Sequence, residues 1–397
     1  MSTGVASPHL PGQPLAQDPR PRTRSRRRLA AVTATLVVGF IILLDQVVGA
    51  LLIPPDRNAF RTINPAYHHG FLPMTSGTTR WGGRDYPFAT NSLGMRDAAP
   101  RRVAPQPSGR RIVFLGDSFV EGMGVTWQES FVGIVADRLA PAGVEVLNAG
   151  AVSYSPRLYE LRLADLLQRE GLRMDELYVF IDISDILDEL FYEGFRPHPA
   201  VGWRDAAYRI DRFLMRRSFL WWRIRTPAAA RSRDPVQEAA TAFWVDSIAP
   251  KELITADFGR GRALWTVDRE VFDRWGRKGM KLALGNMVQL ANLCRASGVR
   301  LAIAVYPWPD QILRRDLESL QVVFWRNFAA TYHAEFINLF PLFINERPAQ
   351  EVIDSCFIAG DSHWSAAGHR LVADALLERI RDGSGDAAAP RPRAEGR

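Results

Sequence analysis

Ile112-Val113-Phe114-Leu115-Gly116-Asp117-Ser118 decides the reading of this chain. Four apolar residues follow one another without polar alternation and stop at a glycine. Such a run reads as a strand buried on both faces, the kind a parallel sheet uses. The pattern recurs at Val144–Leu147, Leu177–Ile181, Leu301–Tyr306 and Phe336–Leu339. Helical stretches lie between them at Ser130–Leu139, Leu158–Arg169 and Met280–Ala296, and Ala366–Ile380 closes the series. Strands alternating with helices predict an α/β fold on a doubly wound parallel sheet.

The 397 residues are 47% apolar and 23% charged, a globular composition. Two cysteines, Cys294 and Cys356, make neither a disulfide scaffold nor a multi-cysteine metal centre. No metal and no cofactor is expected. The net charge of +7 sits in the tails: residues 1–28 carry +5 and residues 379–397 carry +2. The body is neutral and offers no phosphate-tracking face, so nucleic acid is not an expected partner. Both tails, 1–28 and 381–397, read as disordered.

Leu29 to Ile53 is a run of 25 residues with one charge, Asp45, and its length fits a bilayer crossing. Arg22, Arg24, Arg26, Arg27 and Arg28 precede it. The positive-inside bias then keeps the N-terminus in the cytoplasm and exports the chain beyond Ile53, giving a single-pass, periplasm-facing protein. The rival reading is a cleaved signal peptide, with Val48 and Ala50 near the cleavage point. Asp45 is placed near the outer interface, against the alternative of pairing with a partner helix. Residues 54–108 read as an irregular linker and N-terminal extension, and 109–380 as the α/β domain. An insertion over 190–275 interrupts it and holds six of the 11 Trp. It reads as helical cover over the C-terminal sheet edge, where α/β ligands bind. Its basic aromatic stretch Phe213–Arg223 reads as a helix packed on the sheet with Arg in water. The alternative is a helix lying on a membrane surface.

Ser118 opens a helix directly after the first strand, where backbone N–H groups face any oxyanion. A serine is a weak nucleophile without a base in reach. The candidate base is His363 in Gly360-Asp361-Ser362-His363-Trp364, with Asp361 placed to orient its ring. Asp185, Asp188 and Glu189 read as carboxylates at a helix N-terminus rather than as a metal site. His68, His69 and His198 read as solvent-facing loop residues, and Cys356 as core. Tyr306-Pro307-Trp308-Pro309 reads either as the lining of an acceptor groove or as a turn with a packed Trp.

These residues resemble the SGNH (GDSL-type) hydrolases. The nucleophile block is matched by Phe114–Gly122, and the last block by Asp361-Ser362-His363-Trp364 with Gly368-His369. Leu147–Pro156 resembles the second block and Val179–Asp185 the third. Asn91–Asp97 is similar to a segment found before the nucleophile strand in membrane-anchored members. The resemblance implies a flavodoxin-like sandwich, a Ser118–His363–Asp361 triad, and an oxyanion hole from the N–H groups of Ser118 and of a second-block glycine plus a third-block Asn. Here the glycine position falls on Ser153, with Gly150 as substitute, and the Asn position on Ser184. The Asp-Ser-His-Trp form is similar to the alginate O-acetyltransferase-like branch, although there the Asp–His pair precedes the serine.

The expected activity is that of an exported, anchored serine esterase or acyltransferase acting on O-acetyl or related esters of a carbohydrate. The Trp-rich insertion would stack on sugar rings, and a separate membrane protein would deliver the acyl group. The alternatives are a lipid or small-ester hydrolase and a non-catalytic glycan-binding or scaffold protein.

Overall fold

The computed structural model describes residues 20–53, 58–198, 203–226 and 255–382, with Gly4 and Leu253. The chain forms two units, Met1–Pro55 with Ala207–Pro227, and Asp56–Ala206 with Ala228–Arg397.

The larger unit holds ten strands: β1 (Arg61–Asn64), β2 (His68–Phe71), β3 (Ser76–Trp81), β4 (Arg84–Thr90), β5 (Arg96–Asp97), β6 (Arg111–Leu115), β7 (Glu145–Asn148), β8 (Glu176–Ile181), β9 (Arg300–Val305) and β10 (Glu335–Asn338). The main sheet runs β10-β9-β8-β6-β7-β5-β4-β3. Its first five members are parallel, and β6 and β8 at their middle are buried along their whole length. Each of these five strands starts and ends within one or two residues of its apolar run. The parallel strand order is the flavodoxin-like one, whose switch point lies between β6 and β8.

The helices take their places from that order. Right-handed crossovers leaving in opposite directions fall on opposite faces. The β6–β7 helix (Phe131–Leu139) therefore lies on one face, packed against Ala366–Asp382. The β7–β8 helix (Pro156–Ala164) lies on the other, packed against Arg277–Ser297. Leu320–Tyr332, also helical, was not anticipated, although the residues it buries, Gln321, Val322, Trp325, Phe328 and Ala329, recur at the three- and four-residue spacing of one helix face.

Residues 61–97 correct the expectation of an irregular linker. β3, β4 and β5 add an antiparallel extension to the parallel sheet, so the sheet is mixed. The strands are short, but β4 alternates, burying Tyr86 and Phe88. The β3–β4 turn is Gly82-Gly83, with φ of 56° and 76°. Glycine takes that left-handed backbone without a Cβ clash, and a Gly-Gly pair is a hairpin signal the sequence did carry. β1 and β2 form a separate antiparallel pair.

That pair is tied inward by charge. Arg61 on β1 donates to both oxygens of Glu121 at 3.1 and 2.5 Å, with side chains 4% and 1% exposed. Breaking a buried pair from one side strands the other charge.

The smaller unit holds α1 (Arg20–Leu52), which begins inside the tail expected to be disordered, and α7 (Phe219–Arg225) with most of α6 (Trp203–Arg217). Ser25–Leu52 is one helix long and apolar enough to cross a membrane, and its apolar side chains are mostly exposed. Phe213–Arg223 thus groups with α1, not with the sheet as expected. Tail residues 383–397 lie outside the described residues.

Arg61→Ala should lower unfolding free energy by about 3–5 kcal/mol in denaturant titration. Arg326→Ala, at an exposed pair with Glu318, should change it by less than about 0.5 kcal/mol.

Candidate active site

Two glycines let the Ser118 turn sink into the sheet edge. A Cβ on Gly116 would lie 2.3 Å from Val120 Cγ2. One on Gly150 would lie 2.6 Å from Val120 Cβ and 2.8 Å from the Glu121 N. The helical turn Ser118–Glu121 fits only because neither side chain exists. Asp117 caps it by accepting from the Phe119 N–H at 2.9 Å. Arg96, fully buried, takes the carbonyls at its far end: Glu121 at 2.6 Å, Gly122 at 2.5 Å and Val125 at 2.6 Å.

Ser118, His363 and Asp361 meet at this edge. His363 Nε2 lies 2.8 Å from Ser118 Oγ, and Nδ1 lies 2.6 Å from Asp361 Oδ1. The carboxylate fixes the tautomer: Nδ1 carries the proton and Nε2 accepts from the serine. Ser118 Oγ also has Asp117 Oδ2 at 3.2 Å, a longer contact. Asp361 Oδ1 accepts the His363 N–H at 3.0 Å, and Oδ2 accepts Trp81 Nε1–H at 2.6 Å. Burial raises the Asp361 carboxyl, but His363 and Trp81 outweigh it and hold it at about 2. The imidazole stacks on Phe119 at 5.1 Å and meets Trp81 edge-on at 5.3 Å.

Trp81 is a site residue the sequence reading missed. It ends β3, in the stretch expected to be irregular, and its contact spans 280 residues. Its only local signal was the adjoining Gly-Gly turn. His369, in the same block as His363, is different. Burial, with Arg96 and His363 nearby, lowers it to about 3. It stays neutral and accepts the Phe131 N–H at 3.3 Å, a packing role.

The oxyanion candidates separate. Gly150 gives its N–H to Asn148 Oδ1 at 3.0 Å and is thereby removed as a donor. The N–H groups of Ser118 and Ser153 donate to no described residue. Ser153 stands at φ 54°, a left-handed backbone that suits the glycine expected at this position. The preceding Val152 N–H is pinned to Glu121 Oε2 at 2.8 Å. Ser184 is buried at the end of β8. Its N–H goes to Asp182 Oδ1 at 3.0 Å, and its hydroxyl accepts from Arg262 Nη2 at 3.2 Å. Arg262 also grips both Asp188 oxygens at 2.7 and 2.6 Å. It comes from the insertion helix Ala256–Leu264 and was not anticipated.

The acidic residues also sort differently. Asp188 pairs with Arg262. Glu189, raised to about 7 by burial, accepts from Ser155 Oγ, the Arg157 N–H and Asn286 Nδ2. The carboxylates that converge are Asp117, Asp182 and Asp185, all buried, with ligand atoms within 4.8 Å of one another. Burial first, then the charge of Asp117, pushes Asp182 and Asp185 well above the carboxylate range. Tyr159 donates to Asp185 at 2.6 Å and Tyr306 to Asp117 at 3.2 Å. Burial thus favours the protonated forms of Asp182 and Asp185 behind Ser118. Of the segment Tyr306–Pro309, Tyr306 and Pro307 are buried and Trp308 and Pro309 half-buried, with Pro309 opening the helix Pro309–Leu313.

The histidine and tryptophan expectations change. His68 and His69 are buried, not solvent-facing. Their Nδ1 atoms lie 2.6 Å apart, and His69 Nε2 reaches Val152 O at 3.0 Å, under the Ser153 loop. Burial lowers His68 to about 3 and His69 well below its ordinary value, so both stay neutral. Trp265 is buried and donates to Ile183 O at 2.6 Å, and Trp275 packs on Phe258. Trp265 is core rather than a sugar platform, and Trp275 is half-buried against the core; Trp244 lies outside the described residues.

No family model and no curated protein matches the chain. The fold is similar to esterase EstA from Pseudoalteromonas sp., at 14% identity and TM-score 0.39, over 70% of this chain and 100% of that one. Axe2, an acetylxylan esterase from Geobacillus stearothermophilus, matches at 14% identity and TM-score 0.37, over 70% and 96%. TesA matches at 12% identity and TM-score 0.37, over 69% and 99%. Likenesses this distant carry no argument about chemistry, which rests on the side chains.

Two measurements probe this site. Asp361 titrates lower when folded than unfolded, so its contribution is present above about pH 4 and is lost as pH falls through 2. Wild type should lose on the order of 2 kcal/mol more stability across that window than Asp361→Asn; equal losses would remove the carboxylate from the network. Ser153→Gly should keep the fold and gain up to about 1 kcal/mol in thermal unfolding.

Proposed function

We propose that the chain is a membrane-anchored serine esterase or O-acyltransferase of the SGNH type, working on O-acyl esters of an extracytoplasmic carbohydrate. The hydrogen-bonded series Ser118–His363–Asp361 carries this reading. α1 is its anchor, crossing the membrane with its arginines on the cytoplasmic side.

The distances set the chemistry. Ser118 Oγ attacks the ester carbonyl carbon while its proton passes to His363 Nε2. Asp361 holds the ring and stabilises the imidazolium. The negative charge on the carbonyl oxygen is met by the N–H groups of Ser118 and Ser153, with the Ser184 hydroxyl as third donor. Collapse expels the alcohol, which takes the proton from His363 and leaves an acyl group on Ser118. Water or a sugar hydroxyl then gives its proton to His363 and attacks the acyl carbon; the bond to Ser118 Oγ breaks, and Oγ takes the proton back from His363. The first acceptor makes an esterase, the second a transferase.

A fluorophosphonate should label wild type and not Ser118→Ala. Asp361→Asn should lower kcat by about 10⁴-fold, as when a triad loses its orienting carboxylate. Unlabelled wild type would leave a non-catalytic binding protein. A pre-formed acyl-enzyme given oligosaccharide should pass its acyl group to sugar; release solely as free acid would make the protein an esterase.

A further inference from the structure

Asp45 has a partner, and the partner is the basic aromatic segment. Its Oδ1 accepts the Leu220 N–H at 2.8 Å. One turn on, a Cβ at Gly49 would lie 2.4 Å from Arg217 O, so the joint between α6 and α7 lies against the α1 backbone. Asp45 and Gly49 stand eight and four residues before Ile53. At 1.5 Å per residue that is about 12 and 6 Å below the end of the apolar run. The joint therefore sits at the depth of the acyl chains. There an uncovered carboxylate costs about 3 kcal/mol, and an open backbone N–H is also unfavourable. The Asp45–Leu220 bond satisfies both.

The rest of the segment fits the same level. Ile210, Phe213, Leu220 and Ile224 are each more than half exposed, as are Leu43 and Leu51 on α1. The apolar surface of α6–α7 thus continues that of the spanning helix. Arg209, Arg216, Arg217, Arg223 and Arg225 are also exposed. Asp211 is engaged, accepting from Trp221 Nε1 at 2.9 Å and Arg225 Nε at 3.2 Å. Exposed apolar residues interleaved with arginine, docked on a spanning helix near its end, match the layer where acyl chains meet phosphates.

We infer that α6–α7 is a second membrane element, embedded in the lipid leaflet at the Ile53 end of α1, with Leu220 and Ile224 among acyl chains and its arginines on the phosphates of anionic phospholipid. This rests on α1 spanning the bilayer and is independent of the chemistry at Ser118.

The test uses the full chain in nanodiscs of phosphatidylglycerol and phosphatidylcholine, with one nitroxide on Leu36→Cys, Ile224→Cys or Glu378→Cys. The native cysteines are buried. Collision rates with oxygen and with a water-soluble nickel chelate report depth. Positions 36 and 224 should both favour oxygen, with nickel access several-fold below that at 378, an exposed position on the α/β unit. Nickel access at 224 equal to that at 378, with 36 protected, overturns the inference. Nickel access at 36 removes the anchor reading, and the inference with it. In pure phosphatidylcholine the label at 224 should become shallower; unchanged depth there overturns the role of anionic phosphate.

Discussion

The site depends on one carboxylate that must not be left alone. Glu121 ends the Ser118 turn, is almost fully buried, and faces Arg61 from β1 and the Val152 N–H from the Ser153 loop. A bare carboxylate there would take up a proton or open the turn. Arg61, lying near the rings of Phe60 and Phe71, supplies the hydrogen bonds and the opposite charge it needs. One interaction therefore fixes three things: where β1 lies, where Ser118 points and how the chain enters Ser153. Arg96 completes the arrangement by binding the carbonyls at the end of the same turn. The extension before β6 belongs to the site as fully as the sheet does.

How much of the fold and site was legible in the sequence depends on how locally each part is encoded. The five parallel strands are buried on both faces, so each is a plain apolar run. Ser118, Asp361 and His363 were legible because the first comes just after a strand end and the other two share one short loop. Trp81 and Arg262 were not, because each reaches its partner across a fold that no local pattern encodes. β3 to β5 were missed because short strands with one wet face carry only a few apolar residues. His68 and His69 were misplaced for a related reason: two polar rings can be buried when each supplies what the other lacks. Phe213–Arg223 was recognised as unusual, but its packing against α1 depends on Asp45, some 170 residues earlier.

Charge around Ser118 is arranged by subtraction. Asp182 and Asp185 are pushed toward their protonated forms, and His369, His68 and His69 are neutral. Asp361 is the carboxylate held low, and its two oxygens are taken by His363 and Trp81. Under the proposed function, the positive charge that forms on His363 when Ser118 gives up its proton has Asp361 as its directed counter-charge. Burial elsewhere silences groups that would otherwise compete for that proton.

Ser118 and His363 are 245 positions apart, and synthesis delivers them in that order. A chain emerging N-terminus first presents the serine, its cap and the Arg61–Glu121 pair long before any base exists. Until the Asp361 loop has arrived and Ala366–Asp382 has packed on Phe131–Leu139, Ser118 is an ordinary alcohol. Under the proposed function, a chain still in transit is thereby inert toward esters it meets on the way, and a chain shortened before Asp361 stays so. The length of the polypeptide works as a timer on its own reactivity.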